Sequence, residues 1–360
     1  MSGPNSLLPS ALIGVLLAVF LGGAIWVIAG SAGSVSGRGI DLPPLGLEDP
    51  IYITVQKGDN ASTIGKRLEG SGIIESASSF ERLAKLTGAE RTLAAGEYEF
   101  VAGTSVLDAL GRIRDGLTAA RIVGVPEGMR LEEIANLLEK RGVLKASEFL
   151  AAANALATNG SGIDPDLIQS RPRSSTLEGY LYPATYGFNR SISANEAVLQ
   201  MVKALSDRLT PGLREEARAQ GLSLHQVLTL ASIVDREVVI PEERALIASV
   251  YRNRLKIDMP LQADPTVQYA IAARPGSIIE YGYWKRVLSA QDLAFDSTYN
   301  TYTKRGLPPG PISSPGIESI VAVIRPARTD FLYFVARNDG SHAFSTTYEE
   351  HQRNVQRYQP

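Results

Sequence analysis

The sequence predicts an α+β protein held to a membrane by a single helix. Three observations carry this. Residues 11–30 are one uncharged apolar run, two stretches further on share the same strand-turn-helix skeleton, and the second half mixes helical-period segments with short strand-like runs. At 360 residues with 44% apolar content, the chain has material for two or three folded units.

Composition removes several function classes. A net charge of −2 gives no nucleic-acid footprint, which would need clustered Lys and Arg on one face. There is no cysteine, so thiolate metal sites, disulfides and cysteine nucleophiles are excluded together; this is compatible with an exported protein, though many cytosolic proteins also lack cysteine. The three histidines, His225, His342 and His351, are scattered without a metal-ligand spacing, so a His-based metal site is not expected.

The run at 11–30 matches the roughly 20 residues that cross a bilayer core at about 1.5 Å each. A cleaved signal peptide is the competing reading, because the small residues of SAGS follow. The run is long for that role and no basic stretch precedes it, which favours an uncleaved anchor behind a short cytoplasmic N-terminus at 1–10. No Lys or Arg precedes Arg38, so charge does not orient the helix. Residues 31–50, rich in Gly, Ser and Pro, read as a flexible stalk.

Residues 51–74 open with a β-rich run, turn at K-G-D-N, and continue as a helix with Ile64 and Leu68 one turn apart, capped by Asn60 or Ser62. Val55, Gly58, Ile64, Leu68 and Gly72 recur at the same spacing as Val125, Gly128, Ile134, Leu138 and Gly142. Each stretch resembles the opening of a LysM module, a small βααβ fold that binds N-acetylglucosamine polymers, although the second copy lacks a counterpart of Asp59. This resemblance implies a LysM-like subdomain over 51–124 and a larger domain over 125–360. Turn glycines also meet backbone needs alone, so glycan contact and a spacing role both stand.

Between the copies, a strand around Tyr98 to Val101 and a helix from Ser105 are expected; after them, SEFLAAANAL is helical and a polar loop forms a seam. In TLEGYLYPATYGF, at 176–188, Tyr180, Tyr182, Tyr186 and Phe188 alternate as a strand or cleft wall would. Aromatic faces cover sugar rings well, which makes Tyr182 a candidate contact; core packing is the competing account. Helical patterns run from Ser193 to about Ala219 and from Ser223 onward. Pro241 starts another helix with Glu242 and Glu243 in its first turn and Arg252, Arg254 and Lys256 in its last, a distribution that opposes the macrodipole and needs no functional account. Gln262, Ala263 and Asp264 fall on a loop after it. Asp264, beside Pro265, either serves the site or caps the next helix. The stretch 297–316 is dense in Pro and Gly yet low in charge, a rigid loop where Asn300, Thr301 and Tyr302 offer hydrogen bonds to a ligand. Two strand-like runs about Asn338-Asp339-Gly340 read as a hairpin, and a polar helix closes the chain.

One carboxylate stands out. At 100° per residue, Val227, Leu230, Ile233, Val234 and Glu237 share one arc, so Glu237 continues an apolar stripe while Asp235 and Arg236 point elsewhere. Desolvation there raises a carboxyl pKa toward the value a general acid needs near neutral pH. Spacing alone leaves open a helix-ending pair of Glu237 with a nearby Arg.

The run ASIVDREVVIPEERALIASVYRNRL, followed by MPLQADPTVQYAI, resembles the signature of the YceG-like family, the endolytic murein transglycosylases of bacterial inner membranes. STYNTYTKRGLPPGPISSPG is similar to a second run of that family. The resemblance implies a mixed α/β catalytic domain in which Glu237 is the catalytic acid, two positions after Asp235, where the family more often has Glu. It implies further that Tyr182, Gln262, Asp264, Asn300, Thr301 and Tyr302 border the substrate. The implied reaction cuts the MurNAc-GlcNAc bond inside nascent peptidoglycan strands, leaves 1,6-anhydro ends and terminates glycan elongation, without a cofactor. The catalytic domain would stand on the periplasmic side of the inner membrane, with peptidoglycan strands as substrate and peptidoglycan synthases or divisome proteins as partners. Two alternatives are a hydrolytic muramidase, with Asp264 or Asp235 as second carboxylate, and a non-catalytic peptidoglycan-binding scaffold.

Overall fold

Ile53 and Val55 point into a core while Thr54 points out, and this alternation makes β1 (Ile51–Val55) a strand with one apolar face. A turn at Gly58, φ +97°, leads to α1 (Ala61–Gly70), whose N-cap Asn60 accepts the Thr63 N–H at 2.9 Å. α2 (Ala77–Thr87) follows, then β2 (Gly96–Phe100), antiparallel to β1 with Ile53 opposite Tyr98. α3 (Val106–Arg114) completes a first core of Ile64, Leu68, Ile73, Phe80, Tyr98 and Phe100 with their neighbours. The computed structural model of the chain describes residues 50–116 and 121–359. The anchor at 11–30, the N-terminus before it and nearly all of the stalk lie outside the described residues, among which no helix is long and apolar enough to cross a membrane.

The order repeats. β3 (Arg121–Gly124), α4 (Leu131–Lys140), α5 (Ala146–Asn159), the short α6 (Pro165–Gln169) and β4 (Thr185–Phe188) form a second unit, with Val123 opposite Tyr186. Both units close their first helix alike: Ile73 N–H donates to Leu68 C=O at 3.0 Å, and Val143 N–H to Leu138 C=O at 2.9 Å. Each ends on a Tyr-x-Phe strand whose tyrosine hydroxyl donates to a carbonyl four residues back, Tyr98 to Ala94 and Tyr186 to Tyr182. The duplication noted over the turns and first helices thus extends through a whole βααβ arrangement.

A mainly helical body follows: α7 (Ala194–Arg208), α8 (Pro211–Ala219), α9 (Leu224–Glu237), α10 (Arg244–Lys256), α11 (Asp264–Ala272), the short α12 (Ser277–Tyr281) and α13 (Ala290–Leu293), and α14 (Ile317–Ile324). Then come β5 (Tyr333–Ala336), β6 (His342–Ser345) and α15 (Tyr348–Tyr358). α9 is the axis. Ser223 and Gln226 form its capping box, every residue from Leu224 to Val234 except Gln226 is buried, and α8, α10, α11 and α14 pack on it. Residues 297–316 contain neither helix nor strand and run along α9, where Ile312 N–H donates to Ser232 Oγ at 3.0 Å. His225, whose charged form burial disfavours, donates from Nε2 to Pro309 C=O at 2.8 Å and accepts the Tyr180 hydroxyl at Nδ1, 2.9 Å away. β5 and β6 form an antiparallel hairpin about Gly340, φ +84°.

Candidate active site

Glu237 is the last residue of α9, at the end of the buried stripe, and lies on the wall of a cleft of about 480 Å³. Part of the residue faces the cleft, but protein surrounds its carboxyl, and burial pushes that carboxyl up to about 7. The Tyr251 hydroxyl, from α10, donates to Oε1 at 3.0 Å and favours the charged form; the charge of Asp264 opposes this, and those of Arg236 and Arg254 support it. The pair with an arginine left open by spacing is not formed, since no Arg nitrogen lies within ion-pair distance of Glu237 among the described residues. A carboxyl so held can give a proton and take one back near neutral pH.

Gln262, Asp264 and Tyr302 line the same cleft. Asp264 is the first residue of α11, but its side chain does not cap that helix; its Oδ1 accepts the Tyr302 hydroxyl at 2.6 Å. Gln262 has φ +50°, a left-handed conformation few side chains adopt, and its N–H donates to Thr301 C=O at 3.1 Å.

Asn300 and Thr301 are almost fully buried and serve the loop rather than the cleft. Asn300 Nδ2 donates to the carbonyls of Leu293 and Phe295, and its Oδ1 accepts Tyr302 N–H at 2.9 Å. Thr301 Oγ1 accepts Ala263 N–H at 3.0 Å and lies 2.9 Å from Thr266 Oγ1. Thr301 buckles the 262–264 loop to the Tyr302 loop and Asn300 fixes the shape of the latter, which is how Gln262, Asp264 and Tyr302 come together. Tyr182 does not reach the cleft: it is buried in the large core with the Arg208 guanidinium over its ring. Only Thr185–Phe188 of the aromatic stretch is strand, and its rings pack inward. Asp235 turns away from Glu237, accepts the Ser319 hydroxyl, and is raised by burial to about 6.

The structure adds groups that the spacing did not single out. Tyr251 and Arg254 both face the cleft from α10, and Arg254 is only 6% exposed, donating to the carbonyls of Leu332 and Leu261 at 2.6 Å each. The macrodipole account therefore does not suffice for Arg254, which holds β5 and the 261 loop while placing its charge beside Glu237. The far wall comes from the chain's end: Phe334, His342, Tyr348 and His351, with His342 Nδ1 paired to Glu243 Oε2 at 2.6 Å. Residues 241–243 form a separate 3₁₀ turn before α10, and Glu243 Oε1 accepts the His342 N–H at 3.0 Å. Among the described residues no group of His, Asp and Glu could hold a metal ion.

The profile of the YceG-like family matches residues 53–357. An endolytic murein transglycosylase of Bacillus subtilis (strain 168) is 31% identical over 315 residues, which cover 86% of this chain and 84% of that protein. One from Streptococcus pneumoniae (serotype 2, strain D39) is 31% identical over 339 residues and covers 87% of this chain, which spans 60% of that relative's length. A crystal structure of a YceG-like protein from Listeria monocytogenes aligns with a TM-score of 0.56 at 34% identity, over 84% of this chain and 98% of that one.

Proposed function

The chain belongs to the YceG-like family, and from that premise we propose that it is an endolytic murein transglycosylase cleaving the MurNAc-GlcNAc bond within nascent peptidoglycan strands, leaving 1,6-anhydro ends and terminating elongation. The observation that carries the chemistry is a single buried carboxyl, Glu237, held near neutrality on the wall of a cleft. Glu237 gives its proton to the bridging oxygen as the C1–O bond breaks and the leaving sugar keeps the electron pair. The sugar left behind passes through an oxocarbenium-like state. Glu237, now a carboxylate, takes the proton from that sugar's own 6-hydroxyl as O6 closes on C1. No water attacks. Gln262, Asp264 and Tyr302 bind the sugars beside it, and Asn300 and Thr301 position that loop pair.

A hydrolytic reading has one observation in its favour, because Asp264 shares the cleft with Glu237 and could serve as second carboxylate. Mass spectrometry of murein chain ends after incubation with the protein and with its Glu237→Gln form separates the readings. Anhydro ends from the wild type, reduced about 10²–10⁴-fold by Glu237→Gln, support the proposal. Reducing ends would replace it with hydrolysis, and retained murein binding without new ends would leave a scaffold.

Residues 11–30 are proposed to anchor the protein in the inner membrane with the folded part outside, where residues 51–124, LysM-like in sequence, contact or space the glycan near peptidoglycan synthases or divisome proteins. Protease added to intact spheroplasts should digest the folded part and leave a short membrane-held fragment.

A further inference from the structure

α10 separates two cavities. Tyr251 and Arg254 face the Glu237 cleft, while Ser249, Arg252, Asn253 and Lys256, the i, i+3, i+4, i+7 stripe of the opposite face, line a second cavity of about 670 Å³. Its other wall is the segment from Ile324 to Asp330. That wall is fixed rather than loose: Asn253 Nδ2 donates to Thr329 C=O at 2.7 Å and Phe331 C=O at 3.1 Å, and the Ser249 and Thr329 hydroxyls lie 2.7 Å apart.

The lining is cationic. Arg252, Lys256, Arg325 and Arg328 face a single lining carboxylate, Asp330; Arg325 is engaged by Glu216 at 2.6 Å, whereas Arg252 and Arg328 make no ion pair among the described residues. Arg252 is half-buried on this wall, and burial disfavours a guanidinium charge that no carboxylate meets among the described residues. The carbonyl of Ile324, at the negative end of α14, would repel an anion, but Gln220 Nε2 already donates to it.

We propose that this cavity binds a phosphate-type oxyanion, a phosphomonoester or pyrophosphate, through Arg252 with Arg328 and Lys256. A planar guanidinium presents paired donors to such oxygens, three cations without carboxylate partners match a multiply charged ligand better than one carboxylate, and the volume suits a small molecule. The site lies behind the helix that carries Tyr251, and its other wall leads into β5, so its occupancy bears on the cleft through these two elements.

The test is calorimetric titration of the full chain in detergent with inorganic pyrophosphate at low salt, with acetate as the carboxylate control. One saturable site is expected, weakened at least about tenfold in Arg252→Gln and in the exposed Arg328→Gln, with melting temperature and anhydro-end formation unchanged in both. Displacement of pyrophosphate by vesicles containing phosphatidylglycerol would identify a lipid headgroup as the source; no displacement would point to a soluble phosphate. Absence of saturable binding, affinity unchanged in both variants, or acetate binding as tightly as pyrophosphate would each overturn the proposal.

Discussion

A carboxyl that must first release a proton and then recover one is most effective when its pKa lies near the working pH, and burial holds Glu237 at about 7. Because the first step needs the protonated form, kcat/KM should fall as pH rises through about 7, on a limb that reports the free enzyme. The Tyr251 hydroxyl favours the charged form by donating to it, so Tyr251→Phe should move that limb to higher pH; a limb that stays in place or moves down would remove Tyr251 from the account. Glu237 was legible in the sequence because a charge on an apolar arc is visible from spacing alone. Tyr251 and Arg254 were not, since an aromatic or a basic residue near the end of a helix has ordinary explanations, and only the fold shows which face of α10 meets the cleft. Asn300 and Thr301 look like ligand contacts in the sequence because polar residues on a rigid loop appear available; their burial is a tertiary fact. Gly179 shows a different kind of constraint: at φ +77°, a Cβ there would lie 2.3 Å from Pro311 and 3.1 Å from the Ser313 carbonyl. Gly179→Ala should cost about 3 kcal/mol or more, read as a lower urea midpoint, because both the backbone angle and the loop behind α9 resist.

At the scale of elements, α4 begins on a buried acid. Glu178, 4% exposed, accepts the Leu131 N–H at 3.0 Å, and burial, with the Glu132 charge beside it, pushes its carboxyl from 4.5 up to about 8, against the pull of Arg130. Its folded pKa therefore lies above its unfolded one. Between these values the native state holds a proton that the unfolded chain has lost, so this contribution is full below about 4.5 and is lost as pH rises through about 8. Glu237 acts with the same sign. Glu178→Gln keeps an oxygen for Leu131 but cannot ionise; its urea midpoint should vary less with pH than the wild type's and exceed it at pH above about 8. An unchanged slope would mean that Glu178 is ionised in the fold. Elements with strong periodicity or turn chemistry, such as α9 and the hairpin at Gly340, could be anticipated. The placement of α15 against the cleft could not, because a polar helix without a single buried residue carries no signal of where it docks.

Across the whole molecule, the duplicated βααβ arrangement was half visible. Turn glycines and apolar positions repeat at fixed spacing through α1 and α4, but the connection from α5 to β4, which includes α6, is longer than that from α2 to β2. That insertion shifts Tyr186 and Phe188 out of register with Tyr98 and Phe100, so the second half of the repeat emerges only from strand pairing. The two units nevertheless feed different cores: Leu68 belongs to the small one over 53–113, Leu138 to the large one that contains α9. Among the described residues, the hydrogen bonding between 50–116 and 121–359 is one bond, from Arg190 N–H to Glu97 at 2.9 Å, with the Arg190 guanidinium 3.8 Å from the Tyr52 ring centroid. Separate cores joined so thinly should unfold separately. Leu68→Ala and Leu138→Ala each remove the same buried group at the same place in the repeat, and each should cost about 2–5 kcal/mol. In scanning calorimetry, Leu68→Ala should lower only one of two transitions and spare anhydro-end formation below it. Leu138→Ala should lower the other transition and, with it, the temperature at which activity is lost. A single transition lowered equally by both variants would show that the repeat units have fused into one cooperative core, with the Arg190 contact stronger than its geometry suggests.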